Sequence, residues 1–163
     1  MTWVLRRVDD RLIHGQVVVA WGNHLRPRRI WVVDDAAASS AWERELLSTA
    51  APPGIAVRVL SLAEAAADYA TEETAEGPAI LLMRDLKTAI ALADAGVTLQ
   101  MLNLGGIHYT PGRTKINEYI YMDDADRERA RRLIAAGVIL EVQDVPATRP
   151  LPLAAIDPAM AQS

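Results

Sequence analysis

Apolar positions along this chain fall into two alternating patterns. Short, nearly continuous runs rich in Val, Ile, Leu and Trp occupy residues 3–7, 30–34, 56–60, 79–83, 99–104, 119–122 and 138–143. Runs of that length between polar residues predict strands. In residues 15–25, 39–50, 61–74, 85–95 and 123–136, apolar positions recur at helical spacing instead, which predicts helices with one buried face. Strands that alternate with helices of this length form parallel βαβ units. The expected fold is therefore α/β: a three-layer α/β/α sandwich with a central, mostly parallel β-sheet. Ser39, Ser61, Asp85 and Asp123 stand where N-caps belong, and Gly96 and Gly137 follow two helix ends.

One connection lacks a helical pattern. It reads Gly105-Gly106-Ile107-His108-Tyr109-Thr110-Pro111-Gly112-Arg113-Thr114-Lys115. A structureless loop that long in a compact domain is often functional, and this one leaves the C-terminal end of a strand, where α/β sheets bind ligands. From residue 146 onward prolines recur at Pro146, Pro150, Pro152 and Pro158. The expected organisation is one domain over residues 1–146 and an extended tail over 147–163.

Composition narrows the chemistry. At 163 residues and 51% hydrophobic, the chain suits one domain with one core, and no apolar run is long enough to span a bilayer. It has no cysteine, which removes disulfides, thiolate metal sites and a cysteine nucleophile. No signal-peptide pattern opens it, so a cytoplasmic protein is expected. A net charge of −4 gives no support for nucleic-acid binding. Neither phosphate-loop pattern, Gly-x-x-x-x-Gly-Lys-[Ser/Thr] or Gly-x-Gly-x-x-Gly, occurs, and no serine sits in a nucleophile elbow. No metal or cofactor is expected.

The candidate chemistry lies near the start: Arg7-Val8-Asp9-Asp10-Arg11-Leu12-Ile13-His14-Gly15-Gln16-Val17. A strand, a short polar loop and a helix start are a usual place for phosphate in an α/β protein. Imidazole is a nucleophile at neutral pH, so His14 can carry a phosphoryl group itself; the competing assignment is a buried structural histidine. Gly15 clears space for a phosphate and its donor, and the N–H groups of the following helix favour an anion. Arg11 can grip phosphate oxygens in a bidentate contact. One of Asp9 and Asp10 can fix the imidazole tautomer, with Asp10 expected to touch the loop; turn formation is the alternative. Gly105-Gly106 can form a second phosphate-facing backbone nest or a tight strand exit. Arg84, at a strand end, is a further anion contact. His108 is expected to be a polar loop residue, His24 a helix-end residue, and Asp34-Asp35 turn residues or cleft lining.

The string from Arg7 to Val17 resembles the active-site segment of enzyme IIB of the mannose/fructose/sorbose class of the bacterial phosphotransferase system. Trp31-Val32-Val33-Asp34-Asp35 is similar to that family's second strand and exit. Leu102-Asn103-Leu104-Gly105-Gly106-Ile107-His108 resembles its glycine-pair segment, and Ala136-Gly137-Val138-Ile139-Leu140-Glu141-Val142-Gln143-Asp144-Val145-Pro146 its closing strand. The chain departs from the family at Ala36-Ala37-Ala38-Ser39-Ser40, where a more polar stretch is usual.

The resemblance implies a phosphocarrier, a transferase component. It would accept a phosphoryl group from a phosphohistidine on a IIA protein onto the histidine matching His14. It would pass that group to a sugar brought in by membrane components IIC and IID, next to which the protein would work as a cytoplasmic partner. His14 is then nucleophile and carrier, and Asp10 orients its ring. Arg11, Gly15, Gln16, Arg84, Gly105 and Gly106 surround the phosphoryl oxygens. The alternatives are an orphan regulatory phosphocarrier without transport and a non-catalytic anion-binding α/β module. A homo-oligomer is left open.

Overall fold

The computed structural model of the chain describes residues 2–15 and 17–161. Its centre is a seven-stranded sheet in the order β3-β2-β4-β1-β5-β8-β9. The strands are β1 Trp3–Asp9, β2 Arg29–Val33, β3 Ala56–Leu60, β4 Ala79–Met83, β5 Met101–Gly106, β8 Ile139–Val142 and β9 Leu151–Pro152. All neighbours are parallel except the edge pair β8 and β9. β1 lies in the middle, between β4 and β5. Both of its edges are paired, and every residue of it but Val4 is buried, Arg6 and Arg7 included.

Two apolar clusters cover the two faces. One packs α4 Leu62–Glu72, α5 Leu86–Asp94 and α6 Asp124–Ala135 on the sheet through Tyr69, Ile90, Leu92, Ala130 and Leu133. The other holds Leu5, Val17, Trp21, Ala37 and Leu47 beneath a π-helical turn Val17–Trp21, α1 Gly22–Leu25, α2 Asp35–Ala38 and α3 Ala41–Ala50. The chain thus leaves β1 and β2 toward one face and β3, β4 and β5 toward the other. Such a reversal opens a crevice at the C-terminal strand ends, and it falls beside β1.

Local signals explain most boundaries. Ser61 and Asp123 form capping boxes with Glu64 and Asp126, and Asp85 caps α5. Gly96 and Gly137 take φ of 94° and 90° just past α5 and α6, conformations that favour glycine. Four expectations need correction. Helix 39–50 starts from Ser40, whose hydroxyl accepts from the Glu43 N–H, while Ser39 closes α2. Helix 15–25 is a π-helical turn followed by one α-turn that stops at Arg26 in the left-handed region (φ 48°).

Residues 119–122 do not join the main sheet. There β7 Tyr121–Met122 pairs antiparallel with β6 Thr114–Lys115, so part of the expected structureless loop is a small hairpin. Residues from 147 onward are not an extended tail either. β9 pairs with β8, α7 Leu153–Ile156 follows, and a 3-10 turn Pro158–Ala161 ends the described chain. Leu153 and Met160 enter the core, and buried Asp157 accepts from Arg127 Nε at 2.8 Å. The prolines masked an apolar spacing, 153–156–160, that packs this segment down.

Candidate functional site

The loop from Asp9 to His14 crosses the C-terminal end of β1, in the crevice. Asp9 is the last residue of β1 and is fully buried. Its carboxylate organises the loop. Oδ1 accepts from the Arg11 backbone N–H at 3.1 Å and from Arg11 Nε at 3.0 Å. Oδ2 accepts from Arg11 Nη2 at 2.9 Å and lies 3.5 Å from Arg7 Nη2. The same Oδ2 is 3.9 Å from His14 Nε2. One buried oxygen therefore contacts two guanidinium groups and lies near His14 Nε2, a buried nitrogen that makes no hydrogen bond among the described residues.

The His14 ring is fixed from its other edge. Nδ1 lies 2.9 Å from the Leu12 carbonyl. A carbonyl only accepts, so the resting ring carries its proton on Nδ1. Leu12 adopts a left-handed conformation (φ 57°) with its side chain buried. A non-glycine residue held there costs about 1–3 kcal/mol and marks functional turns. Here the turn brings the Leu12 carbonyl onto His14, while the Leu12 N–H donates to the Asp9 carbonyl at 2.9 Å. Beyond the loop, the Val18 N–H donates to the His14 carbonyl at 3.0 Å.

Below the loop lies a buried cation. Arg7 has no exposed surface. Its Nη1 donates to Asn103 Oδ1 and, at 2.8 Å, to the Gln143 carbonyl; Nη2 donates to the Asp144 carbonyl at 2.8 Å. Trp21 caps it, with the guanidinium carbon 5.2 Å from the ring centroid. Burial pulls the Arg7 pKa down, and the Asp9 carboxylate works against that pull. Arg11 is pushed up instead, chiefly by its hydrogen bond to Asp9.

The glycine pair serves this cation. Gly105 and Gly106 are the last residues of β5, and Gly106 lies opposite Asp9. A Cβ on Gly105 would fall into the Arg7 guanidinium, and one on Gly106 would come within 2.8 Å of Asp9 Oδ1. Both positions hold space for the buried Arg7–Asp9 pair. They were expected as a phosphate-facing nest, and the space they leave is already filled by side chains. Gly15 is different: a Cβ there meets nothing within 4 Å, so its surroundings are open.

Asp10 is placed differently from the expectation that it orients His14. Its Oδ2 accepts from the His108 N–H at 2.8 Å, and Oδ1 lies 2.5 Å from His108 Nδ1. It ties the 107–113 segment to the site loop, and the ring contacts of His14 come from Leu12 and Asp9. Arg84 sits beside this arrangement. Its Nε and Nη2 reach Asp34 at 3.2 and 3.4 Å, and its Nη1 reaches the Asp10 carbonyl at 3.4 Å. Gln16 lies outside the described residues.

The structure thus brings Arg11, His14, Arg84 and the glycine pair to one strand edge. Asp9, Arg7, Asn103 and Gln143 complete it and were not assigned from the sequence. Strand parity held the signal: Arg7 and Asp9 are two apart on β1 and share a face. Among the described residues, no group of three or more His, Cys, Asp or Glu could hold a metal ion, and no helix is long and apolar enough to cross a membrane.

Comparison with known proteins agrees across nearly the whole chain. The family described as PTS system sorbose subfamily IIB component matches residues 3–161. The sorbose-specific EIIB component of Klebsiella pneumoniae is 33% identical over 145 residues, covering 89% of this chain and 88% of that protein. The mannose-specific EIIAB component of Escherichia coli K12 is 35% identical over 141 residues, 86% of this chain; the chain spans only 44% of that relative's length. Among solved structures, the IIBSor domain of the Klebsiella pneumoniae sorbose permease superposes with a TM-score of 0.90 at 30% identity, covering 100% of both chains. The N-acetylgalactosamine-specific IIB component 1 of Escherichia coli superposes with a TM-score of 0.84 at 28% identity, covering 91% of this chain and 97% of that one.

Proposed function

This chain belongs to the sorbose subfamily of phosphotransferase-system IIB components, and from that premise we propose that it is a sugar-uptake phosphocarrier whose acceptor is His14. It takes the group from a phosphohistidine on a IIA domain and hands it to a sugar held by membrane components IIC and IID. The observation that carries this is the position of His14: one ring edge on the Leu12 carbonyl, the other facing a carboxylate that also holds Arg11.

In the transfer from the donor one P–N bond breaks on the IIA histidine and one forms on His14, with no net gain or loss of protons. In the transfer to the sugar the P–N bond on His14 breaks, a P–O bond forms, and the sugar hydroxyl gives its proton to a base beside it. Such a reaction needs little covalent help; positioning and charge neutralisation dominate. The ring nitrogens divide the task. Nε2 faces Asp9, and a carboxylate repels a phosphoryl dianion but accepts an N–H. The phosphoryl group therefore goes to Nδ1, which gives up the Leu12 carbonyl while Nε2 takes the proton toward Asp9. Arg11, held at one edge by Asp9, presents the rest of its fork to the phosphoryl oxygens. Open space at Gly15 admits donor and product.

The test is incubation with a phosphorylated IIA domain followed by intact-mass measurement. One phosphoryl group is expected on the wild type and none on His14→Ala, while His24→Ala and His108→Ala still accept it. Label on His14→Ala overturns the assignment. Nitrogen-15 spectra of the labelled protein read the linkage, and phosphorus on Nε2 overturns the division of roles between the nitrogens.

A further inference from the structure

On the face beside the site loop, α3 leaves an apolar stripe uncovered. Trp42 is 71% exposed and Leu46 52% exposed, and the two are one helical turn apart on the same side. Large apolar groups exposed together at helical spacing mark an interaction surface. Between this stripe and the loop runs a groove of about 250 Å³, walled by Trp42, Leu46 and Leu47 on one side and Arg11 and Leu12 on the other, with Arg84 beside them. Among the described residues, Glu43 is the only carboxylate lining it.

The groove is continuous with the site. Arg11 lines it and also touches the Asp9 oxygen that faces His14. The His14 side chain is only 19% exposed, so a donor that brings phosphorus within bonding distance must close over the loop, and the α3 stripe is the next surface it meets. The charge fits as well: the Arg11 and Arg84 guanidinium groups, each paired with one carboxylate, Asp9 and Asp34, stay 35% and 39% exposed at the groove, where an incoming phosphoryl dianion can meet them.

We propose that the groove between α3 and the 9–14 loop is the docking surface for the phosphohistidine-bearing donor domain, with Trp42 as its apolar anchor. The partner is a protein face that places its phosphohistidine toward Arg11 and an apolar side chain against Trp42 and Leu46. This rests on His14 being the carrier, and the experiment separates the two claims.

The IIA half of the mannose EIIAB relative, phosphorylated, serves as donor. Initial rates of labelling are measured against donor concentration for the full chain, Trp42→Ala and Leu46→Ala. Both side chains are exposed on a helix where alanine is favoured, so the thermal melts of the variants should match the wild type. An anchoring tryptophan is a frequent hot spot, so Trp42→Ala is expected to raise the half-saturating donor concentration about ten-fold or more, with the rate at saturation unchanged. Leu46→Ala should move it less in the same direction. An unchanged half-saturating concentration in Trp42→Ala overturns the docking surface and leaves the carrier role standing. So does a wild-type dimer that dissociates in Trp42→Ala, which would assign the stripe to a second copy. A loss confined to sugar phosphorylation by membranes carrying IIC and IID would assign it to the membrane side and equally overturn the proposal. If the wild type takes no label at any donor concentration, the carrier assignment and the docking surface fall together.

Discussion

Gly105→Ala is a one-carbon change whose cost the structure sets. The added Cβ would occupy the position of the Arg7 guanidinium. Arg7 cannot yield easily: it is fully buried, bonded to Asn103 and to the Gln143 and Asp144 carbonyls, and capped by Trp21. Two responses are open. β5 can move away from β1, an overpacking strain of about 1–3 kcal/mol. Alternatively the guanidinium leaves, losing charge-assisted bonds worth about 1.5–3 kcal/mol each and leaving Asp9 short of a partner. The first is cheaper, so the expected loss is about 2–3 kcal/mol. At roughly 2–4 °C per kcal/mol for a chain of this size, Tm should fall by about 4–12 °C.

Calorimetry or a circular-dichroism melt reads that shift. Gly15→Ala is the internal control, because a Cβ there meets nothing within 4 Å and Tm should not move. A double-mutant cycle with Arg7→Met identifies the cause. With the guanidinium gone, Gly105→Ala should cost less, giving a coupling energy of about 1 kcal/mol or more. An unchanged Tm for Gly105→Ala, or strict additivity with Arg7→Met, would refute the claim that this glycine exists to make room for Arg7.

Two further outcomes follow from other contacts. Arg11→Lys keeps a charge but loses the planar fork that meets both Asp9 oxygens, so phosphoryl transfer should slow by roughly ten-fold or more; a wild-type transfer rate would remove Arg11 from the phosphoryl site. Leu153, 1% exposed, anchors the C-terminal segment, so Leu153→Ala should destabilise the domain by about 2–5 kcal/mol; a melt like the wild type would mean the segment is dispensable.

Hydrophobic pattern and caps carried most of the fold. The runs at 30–34, 56–60 and 79–83 became β2, β3 and β4 within a residue; β2 and β4 are buried and have no polar face to blur the pattern, while the edge strand β3 exposes Ala56 and Arg58. The failures lie where tertiary contacts override local signals. The run at 119–122 had the same composition as a sheet strand, but with only a turn between it and residues 114–115 it folded back as a hairpin. Proline-rich sequence after 146 read as extended because a proline on an edge strand donates nothing to the ladder; β9 needs no such bond at Pro152. In the site, His14 and Arg11 were singled out by residue type and spacing, and the structure brings both to Asp9. The choice of Asp9 over Asp10 was not legible, because it depends on burial and on the register shift that skips Gly105 of β5 and sets Asp9 opposite Gly106. The role of Gly105 was equally hidden, since the side chain it accommodates lies 98 positions earlier in the chain.

The buried charges make sense together rather than singly. A lone buried carboxylate beside a phosphoryl acceptor would oppose transfer, and a lone buried arginine would be costly to desolvate. Here Asp9 lies between Arg7 and Arg11, so the first-formed ion pair offsets the burial of both partners, while Arg11 remains part-exposed as a surplus cation. Before transfer, with His14 neutral, the three charges Arg7, Asp9 and Arg11 sum to one positive unit. In the proposed transfer an arriving phosphoryl dianion meets that unit, while the nearby Arg84 is balanced by Asp34. The same carboxylate that holds Arg11 in place also faces Nε2 and can hold the proton that the ring must carry once Nδ1 is occupied. Asp9 thus links two requirements of the proposed carrier: a fixed cation for the oxygens and a place for the ring proton once Nδ1 carries phosphorus. That double duty accounts for a fully buried acid at the end of the central strand, and for a glycine opposite it where any larger residue would push it away.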